Sequence, residues 1–321
     1  MDKNLLILLV MILVFIFSIF EGCENIKDRK DSISDDAIKI TPDMDVFPPI
    51  IHSDKWENPI PMPSIINTAG LEDSPFITPT GDMFFFFFTP DIKIPVEKQM
   101  GDGVTGIWYS QKRNSQWMEP ERVILSKSIS LDGCPFIQGD KLWFCSIRPG
   151  NYGEIDVYTA IYKNGNWVNI ENAGEQLNKE YDIGEFHISN DATTIYFGWD
   201  NSTGFGGRDI WKSENINGTW SIPINLGANI NSELNEDQPF LTSDRNELWF
   251  TGQSRLGYPG PAIFRSIKME NGEWGKCEEI ISNFAGEPTL DDQGNIYFVH
   301  HFFSEDMKMI EADIYVAYIK R

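Results

Sequence analysis

Five times along this chain the same short phrase recurs: Ser74-Pro75-Phe76-Ile77, Cys134-Pro135-Phe136-Ile137, Glu185-Phe186-His187-Ile188, Gln238-Pro239-Phe240-Leu241 and Glu287-Pro288-Thr289-Leu290. Each copy runs through a polar turn into a second apolar burst, such as Met83-Phe84-Phe85-Phe86, Leu142-Trp143-Phe144, Ile195-Tyr196-Phe197, Leu248-Trp249-Phe250 and Ile296-Tyr297-Phe298. A third burst follows in each unit, as in Asp156-Val157-Tyr158, Asp209-Ile210-Trp211 and Asp313-Ile314-Tyr315. In the first four units a tryptophan opens a fourth strand: Trp117, Trp167, Trp220 and Trp274. Turns such as Asn164-Gly165 and Asn217-Gly218 favour tight hairpins between such strands. A period of roughly 50–60 residues made of four short strands is that of a β-propeller blade.

The last unit stops at Arg321 without its tryptophan strand. A matching piece lies upstream of the first unit, where Trp56-Glu57-Asn58-Pro59-Ile60-Pro61 compares with Trp220-Ser221-Ile222-Pro223-Ile224-Asn225. The expected fold is therefore all-β, a five-bladed β-propeller over residues 46–321, closed by an N-terminal strand that completes the last blade. Closure of this kind hides the edge strands an open array would expose.

Residues carrying a family likeness are Asp237-Gln238-Pro239-Phe240-Leu241-Thr242-Ser243-Asp244 with Leu248-Trp249-Phe250-Thr251, and Gly207-Arg208-Asp209-Ile210-Trp211 with Trp220-Ser221-Ile222-Pro223. This pattern resembles the WD40-like repeat of TolB-type periplasmic propellers, over roughly residues 56–320. The resemblance implies a propeller in an envelope or extracellular protein. It implies no reaction, because function belongs to sites placed on such a fold.

Residues 4–20 form an apolar run behind Lys3, and Gly22-Cys23 follows. Residues 1–23 thus read as an export signal or membrane anchor, and the ending resembles a lipoprotein signal with Cys23 as the lipidated residue. Residues 24–45 are charged and read as a polar tether, which places the domain outside the cytoplasm, anchored to a membrane. A net charge of −22 repels phosphate backbones and argues against nucleic acid as a partner. Cys134 and Cys145 fall opposite each other if Gly139-Asp140 forms a two-residue turn, and are a candidate disulfide.

In a propeller, the start of each inner strand and the loop between second and third strands meet at one rim. Asp73, Glu185, Asp237 and Glu287 are the acid and base candidates there, and Asp132, His187, Arg148, Trp199, Arg255, Tyr258 and His300 the ligand-binding candidates. Carboxylates gathered at a mouth can hold Ca²⁺, hydrogen-bond sugar hydroxyls, or cleave a glycosidic bond. Three readings follow. The leading one is a membrane-tethered module binding a polar ligand, with carbohydrate expected, at the channel mouth. A TolB-like scaffold for an envelope protein is the second. The third is a glycoside hydrolase or polysaccharide lyase.

Overall fold

A computed structural model of the protein describes residues 28–126, 129–181, 183 and 185–321. Two short strands come first, β1 (Ile50–Ile51) and β2 (Ile60–Pro61). The first repeat unit holds β3 (Leu71–Ile77), β4 (Met83–Thr89), β5 (Gly106–Arg113), β6 (Gln116–Trp117) and β7 (Glu121–Arg122). The second holds β8 (Leu131–Gln138), β9 (Lys141–Ile147), β10 (Asp156–Lys163) and β11 (Asn166–Asn172). The third comprises β12 (Phe186–Ile188), β13 (Thr194–Asp200), β14 (Arg208–Ile216), β15 (Thr219–Trp220) and β16 (Ile224–Asn225). The fourth has β17 (Glu236–Leu241), β18 (Glu247–Gln253), β19 (Pro261–Ile267) and β20 (Glu278–Ser282), and the last β21 (Ala285–Leu290), β22 (Ile296–Phe303) and β23 (Met309–Ala317). Within each unit successive strands pair antiparallel, so the chain is all-β with several sheets.

The apolar bursts occupy second strands, where alternation would be expected if one face met water. Instead Phe84, Phe85, Phe86 and Phe88 are all buried. Both faces of the strand are covered because neighbouring sheets stack on it, and fully burying each such side chain contributes about 1.5–3 kcal/mol. Edge-on ring contacts mark these seams, as in Phe76–Phe136 (5.1 Å between centroids) and Trp56–Trp249 (5.6 Å).

Proline explains the shape of the inner strands. It has no N–H to give a ladder, and the register slips by one residue at Asp73/Phe76, Gly133/Phe136, Asp237/Phe240 and Gly286/Thr289. The residue before each proline takes a left-handed conformation, with φ of 46° at Ser74, 49° at Cys134, 55° at Gln238 and 53° at Glu287. In the third unit Phe186 stands in place of proline, and the pairing of Phe186–Ile188 with Ile195–Phe197 runs without a slip. These bulges turn the first side chain of the phrase inward.

The two ends of the chain pair with each other. Ile60 opposes Val316, Pro61 opposes Tyr315, and Trp56 bridges to Ile319. In the third unit Ile224 and Asn225 sit against β14 in the same way. A buried asparagine also clasps the third strand of three units: Asn178 on Val157, Asn231 on Ile210, and Asn67 on Ile314. The last of these comes from the N-terminal segment rather than from the unit's own tail.

One sequence expectation needs correction. The segment expected as a solvated tether is, from Asp28 onward, packed on the sheets. Arg29 is 2% exposed, pairs with Glu72 at 3.1 Å, donates to the Ile65 and Ile66 carbonyls and lies against Phe86, Phe88 and Trp108. Lys39 bridges Glu311 and Asp313, Asp45 reaches His300, and β1 adds a fifth strand to the fourth sheet through Ser282 and Ile281. Cys134 and Cys145, the candidate disulfide pair, are in the thiol form here. The bulge sets Gly133, not Cys134, opposite Cys145.

Candidate functional site

All five phrases line one central cavity of about 60 Å³. Their first residues (Ser74, Cys134, Glu185, Gln238 and Glu287) form its throat, and Phe76, Phe136, His187, Phe240 and Thr289 form its floor. His187 lies between Phe136 and Phe240, with ring centroids 4.6 and 4.7 Å away. Burial pushes its imidazole down to about 3, so it is neutral at physiological pH. That is the behaviour of a packed floor residue.

Asp73 and Asp237, each one residue before the phrase, lie beside the throat: Asp73 shares a hydrogen bond with Glu287, and the charge of Asp237 acts on Glu185. Their carboxylates accept the next backbone amide, Ser74 N at 2.8 Å and Gln238 N at 2.9 Å. Arg208 Nε sits 2.7 Å from Asp237 Oδ2, while its Nη2 donates to Gly198 O at 2.7 Å. Gly198 is required here, because a Cβ at that position would lie 1.9 Å from Asp237 Oδ1. Gln238 Nε2 donates to Glu287 Oε1 at 3.0 Å, and His301 Nε2 stands 4.0 Å from Asp73 Oδ2.

Four acids with so few cations cannot all ionise freely. Burial, then repulsion from Asp237, lifts Glu185 to about 8. Burial and the charges of Asp73 and Glu185 hold Glu287 well above the carboxylate range, and it shares a hydrogen bond with Asp73. Burial raises Asp237 as well, against the pull of Arg208. Asp73 goes the other way: burial opposes its ionisation, but His301 and the Ser74 amide outweigh it. Near neutral pH the throat thus presents Glu185 as a carboxylic acid donor, with the neutral form also favoured at Glu287 and the ionised form at Asp73.

The other expected residues sort differently. Acids two places before the phrase are clasped by arginine: Asp132 by Arg148 at 2.6 Å and Glu236 by Arg255 at 2.7 Å. Both guanidiniums lie over aromatic rings, Arg148 on Tyr158 and Arg255 on Phe264, at 4.6 Å in each case. Asp132, Arg148 and Arg255 therefore hold loops to sheets. Trp199 packs among Phe197, Tyr181 and Trp211. Tyr258 stacks near His52, at 5.3 Å. His300 is fully buried with Nε2 2.8 Å from Asp45, so its neighbour His301, on the opposite face of β22, is the one that reaches the throat. Cys23 lies outside the described residues.

Ser74 and Gln238 were not among the expected site residues. For Ser74 and Gln238 the signal was their place in the phrase, shared with Glu185 and Glu287. Among the described residues, no group of three or more His, Cys, Asp or Glu is arranged to hold a metal ion. No described helix is long and apolar enough to cross a membrane.

No protein-family model matches the chain, and no curated protein matches it. Solved structures do. A GH43_12 protein retrieved from a capybara gut metagenome aligns at TM-score 0.52 and 13% identity, over 87% of this chain and 57% of its own. A putative TolB from Agrobacterium tumefaciens aligns at TM-score 0.45 and 14% identity, over 80% of this chain and 93% of that one. An α-L-arabinofuranosidase from Lactobacillus brevis aligns at 0.46 and 13%, over 78% and 90%. These neighbours are β-propellers, and at such identities the likeness reports fold alone.

Proposed function

We propose that this chain is a five-bladed β-propeller closed by its own N-terminal strand, and that it is an extracytoplasmic binding module for a hydroxyl-rich ligand of carbohydrate type. In this reading residues 1–23 export the domain or anchor it to a membrane, with Cys23 as the lipidated residue if the segment is cleaved. The ligand places one polar group in the throat. The observation that carries the reading is the placement of Glu185 and Glu287 in the lining of a cavity with room for only a few waters, with Asp73 and Asp237, from two further units, close enough to act on them.

A throat of about 60 Å³ is far below the roughly 300–1,000 Å³ of ligand-enclosing pockets. The body of the ligand must therefore rest on the loops. Each loop between second and third strands exposes a large apolar side chain: Val96, Tyr152, Phe205, Leu256 and Met307. A sugar fits such a surface, since its C–H faces suit apolar tips and its hydroxyls need donors and acceptors together. The throat supplies both kinds.

One observation favours a glycosidase as second reading. A carboxyl group held protonated near neutral pH, Glu185, faces the Asp237 carboxylate, which is how acid and base roles are divided in one site. Against it, Asp73 and Glu287 share a hydrogen bond, closer than the ~5 Å that separates glycosidase carboxyls.

Calorimetric titration with a panel of oligosaccharides tests the proposal, with reducing-sugar release measured in parallel. Binding is expected to weaken at least tenfold in Asp237→Asn and in Glu287→Gln, with no turnover. Undiminished glycan binding in both variants, or glycan release abolished by Glu185→Gln, overturns it.

A further inference from the structure

We propose that Cys134 and Cys145 are a redox pair, joined across β8 and β9 by a disulfide that exchange with low-molecular-weight disulfides makes and breaks. Residues facing each other in an antiparallel ladder have Cα atoms about 4.5–5.5 Å apart, and bridged cysteines span about 4.4–6.8 Å. Cys145 faces Gly133, whose neighbour is Cys134. Simple alternation would aim Cys134 at the opposite face of the sheet from Cys145. Its left-handed backbone, φ 49°, returns the side chain, and the two sulfur groups share a hydrogen bond. The bulge that proline imposes is thus what brings the thiols together.

Access is asymmetric. Cys134 is half-buried and lines the central cavity, whereas Cys145 is 5% exposed. Exchange with oxidised glutathione therefore begins at Cys134. Its sulfur attacks one glutathione sulfur, a mixed disulfide forms and one glutathione thiol leaves. Cys145 then attacks the Cys134 sulfur and expels the second glutathione thiol. In sum, two protein thiols become one disulfide while one glutathione disulfide becomes two thiols, which balances electrons and protons.

The remaining described cysteine does not compete. Cys277 lies in the fourth unit, where Arg255 Nη1 donates to its sulfur at 2.9 Å. Three effects set the pace of exchange at Cys134: the hydrogen bond its S–H donates to Cys145, burial, and the facing carboxyls of Glu185 and Glu287 all keep its thiol protonated. Only the thiolate attacks, so exchange is slow at neutral pH and accelerates with alkalinity. Oxidation would also remove a thiol from the throat ring, at the position that Ser74, Glu185, Gln238 and Glu287 hold in the other units.

The test uses reduced full-length protein treated with oxidised glutathione at pH 7 and pH 9, acid-quenched and mapped by mass spectrometry without reduction. The expected product is a Cys134–Cys145 linked peptide, formed about tenfold faster per pH unit below the thiol pKa. The Cys145→Ser variant should instead accumulate glutathione on Cys134. The thermal midpoint of the oxidised protein should rise by several degrees, fall back on reduction, and stay unmoved in Cys134→Ser. The proposal is overturned if wild-type Cys134 stays capped by glutathione, if neither cysteine reacts at pH 9, or if Cys277 supplies the partner.

Discussion

The side-chain amide of Asn67 clasps the backbone of Ile314, 247 residues later in the chain: Nδ2 donates to Ile314 O at 2.9 Å, and Oδ1 accepts from Ile314 N at 3.1 Å. Asn178 and Asn231 do the same for Val157 and Ile210, each from only 21 residues downstream. One local device is used twice within a unit and once between the two ends of the chain.

Replacing Asn67 with alanine should therefore act like cutting the link between the termini. It takes the side-chain acceptor from the buried Ile314 N–H, at about 1–3 kcal/mol, while Ile314 O keeps the Met62 amide at 2.8 Å. Urea unfolding should show a midpoint drop of that order, with faster proteolysis near Trp56. A variant as stable as wild type would mean that this clasp carries no load.

Arg29 makes a second such link. Removing it strands the Glu72 carboxylate, which is fully buried, and breaking a buried pair costs roughly 3–5 kcal/mol. Arg29→Met should be strongly destabilising, while Arg29→Met with Glu72→Gln should recover much of the loss. Equal stability of Arg29→Met and wild type would show the N-terminal segment detached in solution.

The throat acids make stability depend on pH in a definite direction. Glu185 has an ordinary value of 4.5 and a folded value of about 8, so between these the native state binds more proton than the unfolded chain. Stability from this group is complete below about pH 4.5 and is lost as pH rises through 8, by at most about 1.4 kcal/mol per pH unit. Glu185→Gln should flatten that decline in thermal midpoints between pH 5 and 8. Parallel curves for variant and wild type would place Glu185 in an ordinary solvated setting.

His187 has the opposite sign. Its folded value near 3 lies below the ordinary 6.5, so the unfolded chain binds more proton in that window. The stabilising effect is present above pH 6.5 and is lost as pH falls toward 3. His187→Phe should keep the floor packed against Phe136 and Phe240 and remove the acid-side loss. Glycan binding that disappears in this variant with stability intact would make His187 a ligand contact rather than a floor.

Gly198 and Asp237 should be energetically coupled. Gly198→Ala forces the Asp237 carboxylate away from Arg208, costing about 1–3 kcal/mol. In an Asp237→Ala background the same change should cost much less, and a double-mutant cycle measures the difference. Additive effects would refute the close approach.

The repeated phrase, the matching of Trp56-Pro61 with Trp220-Asn225, and the meeting of four acids were legible because they follow from period and strand order. Arg29 was not, although a signal existed. The second and fourth units carry Arg148 and Arg255 in the loop after their second strand, whereas the first unit has Pro90-Asp91-Ile92-Lys93 there. Glu72 therefore had to find its cation elsewhere. Local charge density marked residues 24–45 as solvated, and a distant buried carboxylate overruled it.

By itself the sequence determined which segments become strands and which residues open each inner strand, since hydrophobic period and the missing N–H of proline act over a few neighbouring residues. Only the tertiary structure decided which acids are clasped by arginine and which face the throat, and whether two cysteines touch. Those outcomes depend on bulge geometry and on partners brought in from other strands and units, where burial and charge are set by the stacked sheets together rather than by any one segment.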